Sequence, residues 1–286
     1  MTVYFIGAGP GAPDLLTIRA QKLIQTCQVC LYAGSIVPAE TLAEVPADAE
    51  LINTARMPLD HITETIVKAH QAGKDIARLH SGDPAIYSAV AEQARRLVDH
   101  GIDYEIVPGV PSFSAAAAAI GHELTVPTIG QTVILTRVSG RASAMPAGED
   151  LATLGQSRAT MCIHLAAHDI HRVVEELIPL YGSDCPVAVV AFASRPEQQI
   201  IRGQLSDIAA SVQEAGITRL SSSARCSAPK DSPILSYILI TAPAMRKAER
   251  FHACTDIRRY SGRKRVSAAA CRRRLGRDQF LSRKGR

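Results

Sequence analysis

Three glycines spaced two apart, Gly7, Gly9 and Gly11, lie in the stretch VYFIGAGPGAPDLLT (residues 3–17). An apolar run leading into a glycine turn and then a helix is the arrangement that cradles a pyrophosphate on backbone N–H groups. The spacing here argues against a dinucleotide. Pro10 separates the second and third glycines, and Ala12 stands where the third Rossmann glycine would fall. The acidic residue that holds a ribose about 20 positions further on is also missing from VCLYAGS (residues 29–35). A second glycine turn, RLHSGDPAIYSA (residues 78–89), brings His80, Ser81, Gly82, Asp83 and Ile86 together. Asp83 has two readings: a hydrogen bond to a ligand hydroxyl, or the cap of a helix starting near Pro84. Ser81 lacks the G-x-S-x-G elbow of a hydrolase nucleophile.

Metal and thiol chemistry find little support. His164, His168 and His171 are spaced i, i+4, i+7, but His164 belongs to a strand and no carboxylate or thiol completes the set, so no metal is expected. Cys27 and Cys30 form C-x-x-C where a helix gives way to a strand, which predicts two small buried residues rather than a redox pair. Paired carboxylates, a Ser/His/Asp set and a Walker loop are all missing, and no catalytic side chain stands out. What remains is chemistry in which reactive substrates are aligned in a dry cleft. Methyl transfer from a sulfonium donor to an electron-rich carbon is of that kind.

Such turns need strands that end at one edge. Apolar runs of strand length alternate with amphipathic segments, which predicts an α/β fold with mostly parallel sheets. Strands are expected at TVYFI, VCLY, ELIN, DIARL and YEIV, with helices at DLLTIRAQKLIQ, VPAETLAEV, LDHITETIVKAHQA and IYSAVAEQARRLVDH between them. This block closes at VPGVPS (residues 107–112). A second block has an alanine-rich helix SFSAAAAAIG, strands at TVILTR, ATMCIHL and PVAVVAF, and helices at AAHDIHRVVEELIPLYG and LSDIAASVQEAG. Two α/β domains are expected, residues 1–110 and 111–219, with a ligand cleft between them. SGRASAMPAGEDLATLGQ (residues 139–156) reads as a loop over the ligand. Ligands of open parallel sheets bind outside the carboxyl ends of the strands, so two glycine turns at one edge carry more weight than either alone.

The 286 residues are 47% hydrophobic and 21% charged, the profile of a soluble globular protein. The longest apolar stretch, PILSYILITAPAM (residues 233–245), falls short of the roughly 18 residues that span a bilayer. No charged region precedes an apolar N-terminal run, so no signal peptide is read and the cytoplasm is expected. Seven cysteines in no framework spacing imply no disulfides. The net charge of +5 is unevenly spread: residues 246–286 carry +12 and the rest −7. A nucleic-acid argument would rest on that end alone, and no nucleic-acid partner is expected. Residues 220–286 read as an atypical basic tail, disordered or not homologous to what precedes it in related chains.

Taken in order, VYFIGAGPGAPDLLT, LYAGSIV, RLHSGDPAIYSA, VPGVPSFSAAAAA, ELTVP, QTVILTR and PVAVVAFAS resemble the tetrapyrrole methylase family over residues 2–219. Within it they are most similar to the branch that methylates carbon 11 of a corrin precursor in cobalamin biosynthesis. The resemblance implies two α/β domains in a kinked homodimer, S-adenosylmethionine as methyl donor between the domains, and a tetrapyrrole in an adjoining trough. It assigns the donor to Pro10, to Ser81, Gly82, Asp83 and Ile86, to Ser112 and Phe113, to Leu165 and to Ala193. Gly9, Gly11, Ser35 and His80 would line the trough. It leaves open another corrinoid carbon, a cobalt-containing precursor and, in a different class, a module that binds nucleotide or tetrapyrrole without turnover. Pro111, Arg195 and Arg56 depart from the family's usual Ser or Thr, Trp and Gly. Beyond GITR (residues 216–219) the family's apolar strand is not found, as a shifted reading frame would produce, and the last sheet strand is expected to be lost or replaced.

Overall fold

The first five apolar runs pair into one sheet. In the computed structural model, which describes residues 1–34, 37–139, 144–217 and 236–240, β1 (Val3–Gly7), β2 (Val29–Tyr32), β3 (Glu50–Asn53), β4 (Ile76–His80) and β5 (Tyr104–Val107) align in the order β3-β2-β4-β1-β5. Every pairing is parallel. Central parallel strands are covered on both faces, which is why β1 is a near-continuous apolar run and all five residues of β4 are buried, Arg78 and His80 included. On one face α1 (Ile18–Ile24) and α2 (Ala39–Leu42) pack Ala20, Ile24 and Leu42 over Ile6, Cys30 and Leu79. On the other, Ile62 and Ile66 of α3 (Leu59–Gln71) and Ala94 and Leu97 of α4 (Val90–Asp99) meet Phe5, Leu31 and Ile76. β1 therefore leaves toward one face and its neighbour β4 toward the other. The crevice between their carboxyl ends is the switch point at which open sheets bind ligands.

Two helices start later than the periodicity predicts. The segment 14–25 splits into the single turn Pro13–Leu15 and α1, whose N-cap Thr17 accepts a hydrogen bond from Ala20 N. The segment 86–100 becomes helical only at Val90, because Tyr87 and Ala89 take left-handed backbone with φ of 52° and 50°.

The second sheet contains β6 (Val133–Arg137), β7 (Thr160–His164), β8 (Pro186–Ala191), β9 (Gln199–Gln204) and β10 (Ser236–Ile240) in the order β6-β7-β10-β8-β9. β6 and β7 are parallel, β10 runs antiparallel to β7 and β8, and β9 runs antiparallel to β8. The carboxyl ends of β6, β7 and β8 consequently share an edge. Beneath one face lie α6 (Leu151–Gly155), α7 (Ile170–Tyr181) and α8 (Ile208–Glu214), around Met161, Ile163, Val187, Val189, Ile238 and Ile240. Against the other face α5 (Ser112–Ile120) lays Ala115 and Ala116 on Val190 and Ala193, and its small side chains permit that close approach. Both sheets belong to one compact unit, Met1–Lys247, and the expected boundary at 110/111 falls between β5 and α5.

β10 corrects the reading of residues 220–286 as wholly a disordered tail; of the two outcomes expected for the last strand, loss or replacement, loss is excluded because a strand fills its place. SYILI (residues 236–240) is the central strand of the second sheet, with Ile238, Leu239 and Ile240 buried. An apolar run of this length between Pro233 and Pro243 is a strand signal, masked by the basic residues that follow it. The remainder of 218–286 lies outside the described residues. β9 was not expected, since QIIRGQ is an edge strand with a single apolar pair. Within the expected loop 139–156, Asp150 caps α6 by accepting from Thr153 N at 2.8 Å.

Candidate active site

The two glycine turns join through their backbones. Ala8 N donates to His80 O at 2.7 Å, and Gly9 and Gly82 exchange N–H···O bonds of 3.2 and 2.8 Å. The VPGVPS turn closes over both: a Cβ on Gly7 would lie 2.5 Å from Gly109 Cα, and one on Gly109 would lie 2.2 Å from Gly82 O. Only glycine lets three chain segments meet this closely. Asp83 ties the junction, since Oδ1 accepts from Ala85 N at 2.7 Å and Oδ2 from Gly109 N at 2.9 Å. The capping reading of Asp83 is thereby corrected in kind. Its carboxylate closes its own turn and clasps a third segment, while α4 begins further on, at Val90.

The same junction reaches the second sheet. A Cβ on Gly11 would fall 2.4 Å from Arg195 Cγ and 3.2 Å from Ala193 O, and Ala12 N donates to Ser194 Oγ at 3.0 Å. Pro10 and Ala193 are buried in this contact. Ser112 N lies 3.6 Å from where a Gly82 Cβ would sit, which puts the first turn of α5 beside the Ser81–Gly82 turn. Phe113 and Tyr87 converge on the ring of His164 at the end of β7, with centroids 6.3 and 5.1 Å away. Next in the chain, Leu165 has a φ of 55°, and Phe192 and Ser194, just beyond the end of β8, have 52° and 67°. Left-handed backbone at non-glycine residues costs about 1–3 kcal/mol each and gathers at functional sites.

Pro10, Ser81, Gly82, Asp83, Ile86, Ser112, Phe113, Leu165 and Ala193 thus stand on turns linked by direct contacts, and Gly9 and Gly11 share the first of them. His80 does not fit the expected trough. It is 7% exposed, packs on Phe5 at 5.7 Å, and its Nε2 has no hydrogen-bond partner among the described residues. Burial, with Arg78 nearby, pushes its pKa down to about 3, so the imidazole is a neutral support beneath the turn. Arg78 beside it is also buried, donating to Gln93 Oε1 at 3.1 Å and Thr54 Oγ1 at 2.8 Å. Ser35 lies outside the described residues. Tyr87, His164, Gly109 and Ser194 are parts of the junction that the residue patterns did not single out as such. Their contacts run between segments far apart in the chain, and no local spacing marks them.

The histidine and cysteine motifs resolve simply. His164 is buried, and desolvation lowers its pKa to about 4. His168 is in the turn Ala167–Asp169, and His171 on α7 bonds Gln213. Among the described residues no His, Cys, Asp and Glu group has the makings of a metal site. Cys27 and Cys30 are both buried, and Cys27 Sγ donates to Ile24 O at 3.1 Å. A surface groove of about 610 Å³ between α3 and α4 contains none of the junction residues, and its alternating charges, with the Arg96–Asp60 pair across it, mark a solvated helix face.

Comparison with known proteins identifies the family. The family model for Tetrapyrrole (Corrin/Porphyrin) Methylases matches residues 2–209. The chain belongs to this family. Precorrin-4 C(11)-methyltransferase of Rhodococcus erythropolis is 60% identical over 219 residues, covering 77% of this chain and 88% of that protein. Cobalt-precorrin-4 C(11)-methyltransferase of Methanocaldococcus jannaschii is 46% identical over 218 residues, covering 76% and 84%. Among solved structures, a cobalt precorrin-4 methyltransferase of cobalamin biosynthesis matches with a TM-score of 0.77 at 37% identity, covering 85% of this chain and 95% of that one. Uroporphyrin-III C-methyltransferase from Thermus thermophilus, complexed with S-adenosylhomocysteine, matches with a TM-score of 0.67 at 25% identity, covering 86% and 100%. The spacing of Gly7, Gly9 and Gly11, unsuited to a dinucleotide turn, suits the close backbone contacts that Gly7 and Gly9 make with the Gly82 and Gly109 turns.

Proposed function

We propose that the chain is an S-adenosylmethionine-dependent C-methyltransferase acting on carbon 11 of precorrin-4, a tetrapyrrole of cobalamin biosynthesis. The observation that carries this reading is the meeting of five separate turns at one junction, in a chain 60% identical to a precorrin-4 C(11)-methyltransferase. The crevice suits such a donor on its own terms. Gly7 and Gly109 leave no room for side chains where the turns meet, Gly82 takes left-handed backbone with φ of 68°, and Leu165 and Ala193 would add a small apolar wall. Pro10, Ser81, Gly82, Asp83, Ile86, Ser112, Phe113, Leu165 and Ala193 would hold the donor. When bound, the donor supplies an electrophilic methyl group on a sulfonium. The acceptor carbon is itself the nucleophile, so the chain's part is to orient the two and exclude water. Gly9 and Gly11, expected in the tetrapyrrole trough, are buried against Leu15 and Arg195 and would support that trough by holding the first turn close to the second sheet.

Incubation with methyl-labelled S-adenosylmethionine and either precorrin-4 or cobalt-precorrin-4 tests the reading. Label should move to the tetrapyrrole, faster for the metal-free acceptor, in line with 60% against 46% identity to the two kinds of relative. Donor binding without transfer to either acceptor would make the chain a binding module, and transfer to the cobalt form alone would reassign the acceptor.

We infer further that residues 1–110 and 111–219 act as two domains, β10 joining the second, and that two copies associate. Ile134 and Ile201 point into the α6–α8 core, so their neighbours Leu135 and Ile200 face the α5 side, where both are 37% exposed. A second copy covering these exposed residues, which lie on the two edge strands β6 and β9, would double the 30.6 kDa mass in light scattering. A monomer would overturn the inference. Cys27, Cys30 and Cys162 are buried, unbridged thiols, which suits the cytoplasm, and no helix among the described residues is long and apolar enough to cross a membrane.

A further inference from the structure

Tyr87 and His164 are absent from the donor assignment, yet each adjoins a residue in it: Tyr87 follows Ile86, and His164 precedes Leu165. Tyr87 rides on the turn between β4 and α4 of the first sheet, while His164 ends β7 of the second. Their rings meet edge to face, 5.1 Å apart at 62°. Phe113, on the first turn of α5, meets the same imidazole at 6.3 Å and 64°. The histidine is 4% exposed and the tyrosine 47%, so Tyr87 reaches from the open side of the junction to a buried ring.

The backbone beneath Tyr87 is strained. Its φ of 52°, with 50° at Ala89, is sterically costly for residues with side chains, and such strain persists only where the surroundings hold it. Ser88 Oγ bonds Asp83 O and Ile86 O at 3.2 and 3.1 Å, fixing the turn from below. The ring contact with His164 fixes it from above.

We propose that Tyr87 and His164 are positioning residues of the methyl-transfer site. Their edge-to-face contact, with Phe113 as the third ring, latches the 81–86 turn to the carboxyl end of β7 and the start of α5, and so sets the width of the donor crevice. The inference rests on the donor reading of that crevice. It requires rings at both positions, not the tyrosine hydroxyl.

Calorimetric titration of the full chain with S-adenosylhomocysteine tests it, alongside steady-state KM values for donor and acceptor. Tyr87→Phe and His164→Phe should retain affinity, whereas Tyr87→Ala and His164→Ala should each weaken it about five- to tenfold, the scale of a lost aromatic pair. The double alanine variant should be no weaker than the weaker single one, because the pair acts as a unit. Donor KM should rise with acceptor KM unmoved, a split that general loosening of the fold would not give. Tyr87→Ala binding like wild type, or Tyr87→Phe binding as weakly as Tyr87→Ala, overturns the latch while the donor reading stands. Failure of the wild type to bind overturns the donor reading, and the latch with it. Should His164→Ala not fold, the Tyr87 variants and His164→Phe decide alone.

Discussion

Asp83 shows how much one carboxylate can organise. Its two oxygens accept from Ala85 N and Gly109 N, so removing them strands two amides at the point where three segments meet. Asp83→Ala should therefore lower unfolding free energy by about 1–3 kcal/mol in urea titrations, with Asp83→Asn intermediate because one acceptor survives. Unchanged stability with lost donor affinity would instead make Asp83 a direct donor contact. Gly109→Ala should be far worse, since its Cβ would sit 2.2 Å from Gly82 O, whereas at Gly73 nothing lies within 4 Å and only the cost of a φ of 76° is felt. The two buried histidines set a pH dependence. Burial holds His80 and His164 neutral, with pKa values of about 3 and about 4 against an ordinary 6.5. As pH falls below about 6.5 the unfolded chain takes up protons that the folded chain refuses, so stability is complete above that value and is lost progressively toward pH 4 and below. Urea midpoints at about pH 7, 6 and 5 should fall in that order, less steeply in His164→Phe. At this scale the two glycine turns stood out from spacing alone and Asp83 stood out with them, but its clasp on Gly109 N did not. The Tyr87–His164 contact was not, because it joins two segments that no local pattern relates.

Among elements, the five strands of the first sheet announce themselves as apolar runs bounded by turns, and they lie where those runs predict. The β4–α4 turn is less transparent: the periodicity of IYSAVAEQARRLVDH continues through residues whose left-handed backbone forbids a helix. β10 is the opposite case. SYILI has strand length and composition, but its chemical company of basic residues conceals a place between β7 and β8. Ile238 is fully buried there, so Ile238→Ala should cost about 2–5 kcal/mol by thermal or urea unfolding. A chain ending at residue 217 would leave β7 and β8 without their shared partner. It should lose cooperative unfolding of the second sheet and become insoluble on expression, and a soluble, cooperatively folded product would show that β10 is dispensable.

For the molecule as a whole, the order of motifs along the chain foretold the family, while the way two sheets contribute to one crevice required contacts such as Ala12 N to Ser194 Oγ and Gly11 against Arg195. Those contacts predict joint behaviour. S-adenosylhomocysteine at about 100 times its Kd should stabilise the fold by about 2.7 kcal/mol and raise a single thermal transition. Two transitions of which only one moves would assign the ligand to one sheet. The placement of β10 also bears on how the protein is made. All strands of the first sheet have left the ribosome once residue 107 emerges, but the middle of the second sheet is the last of the described strands to appear. At about 5–20 residues per second, β7 waits several seconds with an unpaired inner edge, a template for pairing with other nascent chains. The enzyme's yield in a cell should thus depend on what shields that edge during translation, a demand that the finished fold no longer shows.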